Sequence, residues 1–218
     1  MVDPEFENRY RRRREAGEES RRRTRARLVQ VADQLFQELG YAATTVSVIA
    51  EQSGVSLQTL YLAWGSKRDV FRAAAAVAAG GNGSEDWLEA VRNELATDAE
   101  TTLDTASYLH AVARVFVAVT ARTAAYRRLY REAAAVEPAL AEDWLTVQSQ
   151  ADDALRAAAA AIPPAALRPE LDADAVFLTL WTLASPEVYD LVVDRAARTP
   201  AEFEHWLGTT LIAALTRL

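Results

Sequence analysis

Residues 44–71 read TTVSVIAEQSGVSLQTLYLAWGSKRDVF, and this stretch decides the fold. Its pattern predicts a short helix, a tight turn at Gly54, a second short helix over about 57–63 and the start of a third helix. The second helix is predicted to carry a small polar and aromatic surface and to contribute little to a core. We therefore expect it to be held out from the fold to contact another molecule.

A helix-turn-helix makes demands on sequence that this stretch meets. The small residue Ala50 lets the first helix pack closely on the second, and Gly54 supplies the backbone freedom that the turn needs. Val55 and Leu60 are apolar and are expected to face inward. The residues of the second helix expected at its cap or on its outer face are Ser56, Gln58, Thr59 and Tyr61. Thr44 or Thr45 is expected to cap the first helix.

The outward side chains suit contact with DNA. Gln58 can pair bidentately with adenine or bond other base edges, and the hydroxyls of Thr59 and Tyr61 can reach phosphate oxygens. The start of the third helix joins the positive end of a helix dipole to the charge of Lys67, which favours anions. Each residue alone has an ordinary explanation as packing or as a solvated surface side chain. Their order and spacing favour DNA binding.

The segment before this stretch is basic. Residues 1–20 hold arginine blocks and few apolar residues, so we predict a disordered arm there, either a solvated tail or a segment lying along phosphates. Arg22 and Arg23, just beyond it, are predicted DNA contacts. The apolar residues at helical spacing that follow are Leu28, Ala32, Leu35, Phe36 and Leu39. They predict a helix that ends at Gly40.

These residues resemble the amino-terminal domain of the TetR family of transcriptional regulators over about 50 residues from Arg22. The matching positions are Thr45, Val46, Ile49, Ala50, Gly54, Val55, Ser56, Leu60, Tyr61, Trp64, Ser66 and Lys67. Trp64 stands where the family most often has phenylalanine, Ala63 where a larger residue is common, and Gln58 where glycine is frequent. The resemblance implies DNA contacts by Thr45, Gln58, Thr59, Tyr61 and Lys67, with Ser56 as helix cap and contact.

Composition excludes several kinds of site. The chain of 218 residues has no cysteine, which excludes disulfides and thiolate metal sites. His110 and His205 fall in no metal-binding spacing, so we predict no metal, no cofactor and no catalytic residue. No run reaches the ~18 apolar residues of a membrane span. The cytoplasm is therefore the expected compartment, and we expect no membrane partner.

The net charge of −7 hides a division of the chain. Residues 1–72 hold 13 Lys and Arg against 10 Asp and Glu, whereas residues 73–218 hold 11 against 21. The first part therefore carries +3 and the second −10. This division predicts an anionic partner for the first part only.

The rest of the chain reads as helices separated by proline. The glycine-rich residues 80–84 mark the expected domain boundary, after a DNA-binding domain over 21–79. The predicted helices lie at about 85–97, 99–120, 122–136, 138–161, 172–184, 186–197 and 200–217. The fold class is therefore all-α, with about nine to ten helices in which a three-helix helix-turn-helix head joins a larger helical domain. By the resemblance, residues 85–218 bind a ligand and dimerise.

Two further sets of residues are predicted in this second domain. The candidate walls of a ligand pocket are Tyr108, Phe116, Tyr126, Trp144, Gln148 and Trp181. The apolar stripe expected at a dimer interface is Phe203, Trp206, Leu207, Thr210, Leu211 and Ala214. Plain burial inside one chain is the alternative for both sets, because aromatic and apolar residues at helical spacing commonly form core.

The sequence thus predicts a ligand-responsive transcriptional regulator, expected to be a repressor, that binds a palindromic operator in double-stranded DNA as a homodimer. An unidentified small molecule would be its effector. Two alternatives stay open at this point. One is a protein that coats DNA without specificity through its arginines. The other is a helical small-molecule binding protein or enzyme whose helix-turn-helix is vestigial.

Overall fold

The computed structural model describes residues 4–80 and 104–217, with side chains from residue 12 onward. Those ranges are helical, apart from turns and one isolated bridge between Leu167 and Thr216. The first four helices are α1 (Pro4–Ala43), α2 (Val46–Gln52), α3 (Leu57–Trp64) and α4 (Lys67–Gly80). The later helices are α5 (Thr105–Ala134), α6 (Pro138–Ala160), α7 (Ala173–Leu183), α8 (Pro186–Asp190) and α9 (Pro200–Leu215). The predicted all-α class is confirmed.

The chain divides into two compact units, Met1–Ala75 and Ala76–Leu218, which we call the head and the body. The division falls within α4, a few residues before the boundary predicted at 80–84. Residues 81–84 of that boundary, and the helix predicted at 85–97, lie outside the described residues.

Helix α1 is longer than the sequence predicted, because it begins at Pro4 and includes the segment expected to be a disordered arm. Acidic and basic side chains alternate there at helical spacing. Arg14 lies 3.5 Å from Glu18, and Glu19 lies near the guanidinium groups of both Arg22 and Arg23. Each such pair contributes only about 0.3–0.5 kcal/mol. Together these ion pairs favour continuation of the helix toward its amino end, while the later part of α1 is held by residues buried in the core.

The core of the head lies between α1 and the three short helices. Leu28, Phe36 and Ile49 are fully buried there. The Phe36 ring meets the Phe71 ring edge to face, with centroids 5.0 Å apart. Gly40 has a φ of 79° and a ψ of 168°, so it interrupts α1 where the sequence predicted the helix to end, and residues 41–43 form a short separate turn. Leu39, which the spacing placed on the inner face, is instead half exposed.

The body packs around α5 and α9. Helix α5 is continuous over Thr105–Ala134, whereas the sequence predicted two helices with a break near residue 121. No proline or glycine stands at that point, so nothing in the chain interrupts the helix. The helices predicted at 138–161, 172–184 and 200–217 are confirmed to within two residues at each end.

One charged side chain of α5 is buried in the body. Arg127 is only 8% exposed, and its guanidinium donates to the Thr120 carbonyl and to the Asp190 carboxylate, both at 2.8 Å. Asp190 ends α8 and is followed by a π-helical turn, Leu191–Arg195. The predicted helix at 186–197 is therefore split between two helical geometries.

Within the described residues, one helical stretch, Ala173–Arg195, is long and apolar enough by length and composition to cross a membrane. It is not a single helix, because Ser185 is extended (φ −104°, ψ 145°) and separates α7 from α8. Val176, Leu180 and Tyr189 along it are buried in the core of the body. Ser185 thus divides the stretch into α7 and α8, each shorter than the roughly 20 residues that a membrane-spanning helix needs.

Candidate DNA-binding surface

The turn between α2 and α3 is fixed by hydrogen bonds that local sequence supplies. Thr45 caps α2, its hydroxyl oxygen accepting from the Val48 N–H at 3.2 Å. Gly54 takes a φ of 65°, and the Val55 N–H then donates to the Ala50 carbonyl at 3.0 Å. The cap predicted at Thr44 or Thr45 is thus Thr45. Buried Thr44 instead donates its hydroxyl hydrogen, with the Leu35 and Gly40 carbonyls in range.

Helix α3 starts from a double hydroxyl cap. The Ser56 hydroxyl oxygen accepts from the Thr59 N–H at 3.1 Å, and the Ser56 and Thr59 hydroxyl oxygens lie 2.8 Å apart. Thr59 is only half exposed. Both hydroxyls therefore help to hold the start of α3 in place, and Thr59 offers less surface to a partner than predicted.

Helix α3 presents a narrow exposed face. Leu60 is fully buried and anchors the helix from below, whereas Tyr61 is 47% exposed and Gln58 is also exposed. Two leucines share that face, since Leu57 is 41% and Leu62 81% exposed. Neither leucine is among the residues that the sequence pattern predicts to contact DNA. Helical spacing alone reveals Leu62, which is two residues from buried Leu60 and about 160° round the helix from it, whereas Leu57 is three residues away and only about 60° from it.

The end of α3 is held by an arginine of α1. The Arg25 guanidinium lies 3.8 Å from the centroid of the Trp64 ring and donates to the Ala63 carbonyl at 3.1 Å. Gly65, with a φ of 79°, then ends the helix. A cation over an aromatic face at such a distance contributes about 0.5–2 kcal/mol. Helix α3 is therefore fixed at both ends.

Lys67 begins α4, and its Nζ lies 4.0 Å from the centroid of the buried Tyr41 ring. The same helix start also holds an acid. Asp69 donates its N–H to the Ser66 hydroxyl oxygen at 3.1 Å, and its carboxylate accepts from that hydroxyl. The Asp69 carboxylate therefore already lies at the positive end of the α4 dipole, which reduces the anion site predicted there.

Arg22 and Arg23, the other predicted contacts, are exposed but share one carboxylate. Arg22 donates to Glu19, and the Arg23 Nε lies 3.5 Å from the other Glu19 oxygen. The three side chains together carry a net charge of +1. All the predicted DNA contacts lie in the head, on α1, on α3, at the caps that precede α2 and α3, and in the first turn of α4.

Comparison with known proteins agrees with this geometry. Residues 28–74 match a family model described as bacterial regulatory proteins, tetR family. The amino-terminal domain is of the TetR family. A search of curated proteins found no match.

Solved structures extend the likeness of this chain to its fold as a whole. A TetR-family regulator from Mesorhizobium loti MAFF303099 superposes with a TM-score of 0.68 at 18% identity, covering 90% of this chain and 98% of that one. The structure of SmeT in complex with triclosan superposes with a TM-score of 0.65 at 18% sequence identity, covering 89% of this chain and 92% of SmeT. NalD from Pseudomonas aeruginosa superposes with a TM-score of 0.57 at 18% sequence identity, covering 91% of this chain and 98% of NalD. NalD is the secondary repressor of the MexAB-OprM multidrug efflux pump.

The residues predicted to line a ligand pocket have separate surroundings in the structure. Tyr126 is buried, and the Trp144 ring stacks on the Tyr130 ring with centroids 5.4 Å apart. The Tyr108 hydroxyl donates to the Ala158 carbonyl at 3.0 Å, and burial raises its pKa above the ordinary value. Phe116 is half-buried against the core.

The other two predicted wall residues lie outside any enclosed site. Gln148 is exposed. Trp181 is 45% exposed, and its Nε1–H donates to the Asp152 carboxylate at 2.8 Å. A shallow groove of about 320 Å³ does occur in the body, lined by Arg156, Asp174, Ala175, Phe177 and Leu178. It includes none of the six predicted residues.

The predicted dimer stripe is partly wrong. Phe203, Leu207 and Leu211 are fully buried inside a single chain, so they cannot contact a second copy. The spacing correctly found an inner face of α9, but that face packs in the core of the body. Trp206 is 40% exposed, and Thr210 and Ala214 are half exposed. Among the described residues, no group of three or more His, Cys, Asp or Glu side chains is arranged to hold a metal ion.

Proposed function

We propose that this protein regulates transcription by binding operator DNA through α3. The observation that carries the proposal is the exposed face of α3, a short helix capped by Ser56 and clamped at its far end by Arg25. A helix fixed at both ends and exposed on one side suits insertion into the major groove, which admits an α-helix. The protein is proposed to act as a repressor in the cytoplasm.

The charge of the chain supports DNA as the partner of the head. Residues 1–72 carry a net charge of +3, against −10 for residues 73–218. Phosphate neutralisation supplies most of the affinity of such contacts and depends on local charge. We propose that the DNA-binding domain spans residues 21–79, with the earlier part of α1 as a basic extension.

Each head residue is proposed to make one kind of contact. Gln58 reads a base edge, because its amide offers both a donor and an acceptor. The Thr45 and Tyr61 hydroxyls and the Lys67 ammonium contact phosphate oxygens, and Arg22 and Arg23 add charge along the backbone. Ser56 and Thr59 hold the helix start and contact DNA at its edge.

The operator is proposed to be palindromic and the protein a homodimer. Two copies of α3 on successive half-sites bind more tightly than one. Residues 85–218, which make up most of the body, are proposed to form the ligand-binding and dimerisation domain. Its large exposed apolar side chains, suited to a second copy, include Leu178, Trp181, Leu191 and Trp206.

A small organic molecule is proposed to bind the body and weaken DNA binding. SmeT, similar in fold, has been solved with triclosan, which supports a ligand of this kind. The half-buried rings of Tyr108, Phe116 and Trp144 are proposed to contribute to its site. Such an effector must prefer the conformation that does not bind DNA, since only differential affinity shifts an equilibrium.

Selection from a random duplex pool tests the DNA proposal directly. A regulator enriches one palindromic sequence, and Gln58→Ala then weakens binding by about 1–3 kcal/mol. Gln148→Ala is the matched control, because Gln148 is an equally simple exposed glutamine in the body. Equal affinity for every duplex would indicate a coating protein. A pool that is not retained at all would favour a small-molecule binding protein or enzyme.

A further inference from the structure

The exposed face of α3 is unusual in its chemistry. The helix reads LQTLYLAW and carries no charged side chain. Its four outward residues are Leu57, Gln58, Tyr61 and Leu62, of which Leu62 is 81% exposed. A single exposed leucine needs no explanation. Here, however, two leucines flank the one amide on the helix proposed to read DNA.

This chemistry restricts which bases the helix can read in the major groove. Guanine is read most often by Arg or Lys, and the N4 amino group of cytosine by Asp or Glu. None of these residues occurs on α3. Gln58 is suited to adenine, and an apolar side chain is suited to the 5-methyl group of thymine. The face therefore fits A·T base pairs.

The spacing places Gln58 and Leu62 within reach of base pairs that are about two steps apart. Gln58 and Leu62 are four residues apart, or about 6 Å along the helix axis. Stacked base pairs are about 3.4 Å apart along each strand. Leu62 therefore lies about two base-pair steps from Gln58 when α3 follows the groove.

We propose that Leu62 packs against the 5-methyl group of a thymine in the operator half-site, with Leu57 adding apolar contact at the other end of α3. Specificity at that base pair then arises from a methyl contact and not from a hydrogen bond. The inference rests on the proposed function, because it assigns α3 to the major groove. The surrounding hydroxyls and the net positive head favour DNA over an apolar protein partner at this face.

Uracil scanning of the operator tests the proposal. Each thymine of one half-site in the selected duplex is replaced by uracil, which removes only the methyl group. Loss of one buried methyl weakens binding about fourfold. We expect the wild-type full-length protein to show this loss at one or two thymines. We expect Leu62→Ala to bind the thymine and uracil duplexes equally at one of these positions.

The matched control is Leu145→Ala, since Leu145 is a leucine of the body with 65% exposure. It should reproduce the wild-type scan. A wild-type protein that binds its selected duplex but is insensitive to every uracil overturns the methyl contact and leaves the proposed function intact. Sensitivity that persists unchanged in Leu62→Ala overturns the assignment to Leu62. Failure of the pool to yield any preferred sequence removes both proposals.

Discussion

Helices α3 and α9 both carry leucines at helical spacing, yet they use them in opposite ways. Leu62 of α3 is 81% exposed, whereas Leu207 and Leu211 of α9 are fully buried. The difference is set by what lies around each helix. Helix α3 is eight residues long and rests on one buried leucine, whereas α9 packs along α5 in the core of the body. An apolar stripe thus identifies a face without identifying what covers it.

The largest expected effect is from Leu207→Ala in α9. Removing a fully buried leucine leaves a cavity and lowers the free energy of unfolding by about 2–5 kcal/mol. Urea or thermal unfolding of the variant measures this loss. Trp206→Ala, one position away at a partly exposed residue, is the control. At equal protein concentration it should lower the free energy of unfolding by less than Leu207→Ala does. If both variants lose the same stability, α9 does not separate an inner from an outer face.

A second substitution tests how closely α9 approaches α5. A Cβ added at Gly208 would lie 2.2 Å from the Nδ1 atom of His110. Gly208→Ala should therefore lower the free energy of unfolding by about 1–3 kcal/mol through overpacking. The double variant with His110→Ala should recover part of that loss, because the ring that blocks the new methyl is gone. Additive losses would contradict the close contact.

In the head, Ser56→Ala tests the cap that fixes α3. Loss of an N-cap side chain lowers the free energy of unfolding by about 1 kcal/mol. We also expect weaker operator binding, measured by titration, because the start of α3 loosens. Ser56→Asp restores a capping oxygen and should recover stability. Since it adds negative charge beside the phosphates, it should not recover binding.

The smallest effect on stability is expected from Leu62→Ala. Its side chain is largely in solvent, so the free energy of unfolding should change by less than about 0.5 kcal/mol. The contrast with Leu207→Ala is the clearest measure of the difference between the two helices. A loss comparable to that of Leu207→Ala would place Leu62 in a packed environment and contradict its exposure.

The head was predictable from sequence because its structure is local. The Ser56 cap, Gly54 in the turn and Leu60 as the buried anchor all act within a few residues of themselves, and each is found where the residue type predicts. The exposed leucines were overlooked because polar residues alone were treated as DNA readers. The exposure of Leu62 follows from its position opposite buried Leu60 on the helix, whereas that of Leu57, three residues from Leu60, does not follow from spacing.

The body was predictable only at the level of its helices. Proline positions marked the joints, but no residue type marks which apolar face meets a neighbouring helix and which meets solvent. Phe203 and Leu211 were therefore assigned to an interface that the core already occupies. The prediction of where α1 begins was wrong for a related reason. The arginine content of residues 1–20 indicated a disordered arm, whereas the spacing of their opposite charges favoured a helix.

Lys67 is the only lysine in the chain. A lysine-specific protease therefore has a single cleavage site, and that site lies in the first turn of α4. Cutting there requires the turn to open, so the cleavage rate reports local unfolding of the head while the body supplies no competing site. Operator DNA that contacts the same turn should slow this cleavage, so the fraction of chain that stays intact measures how much of the protein is bound to DNA.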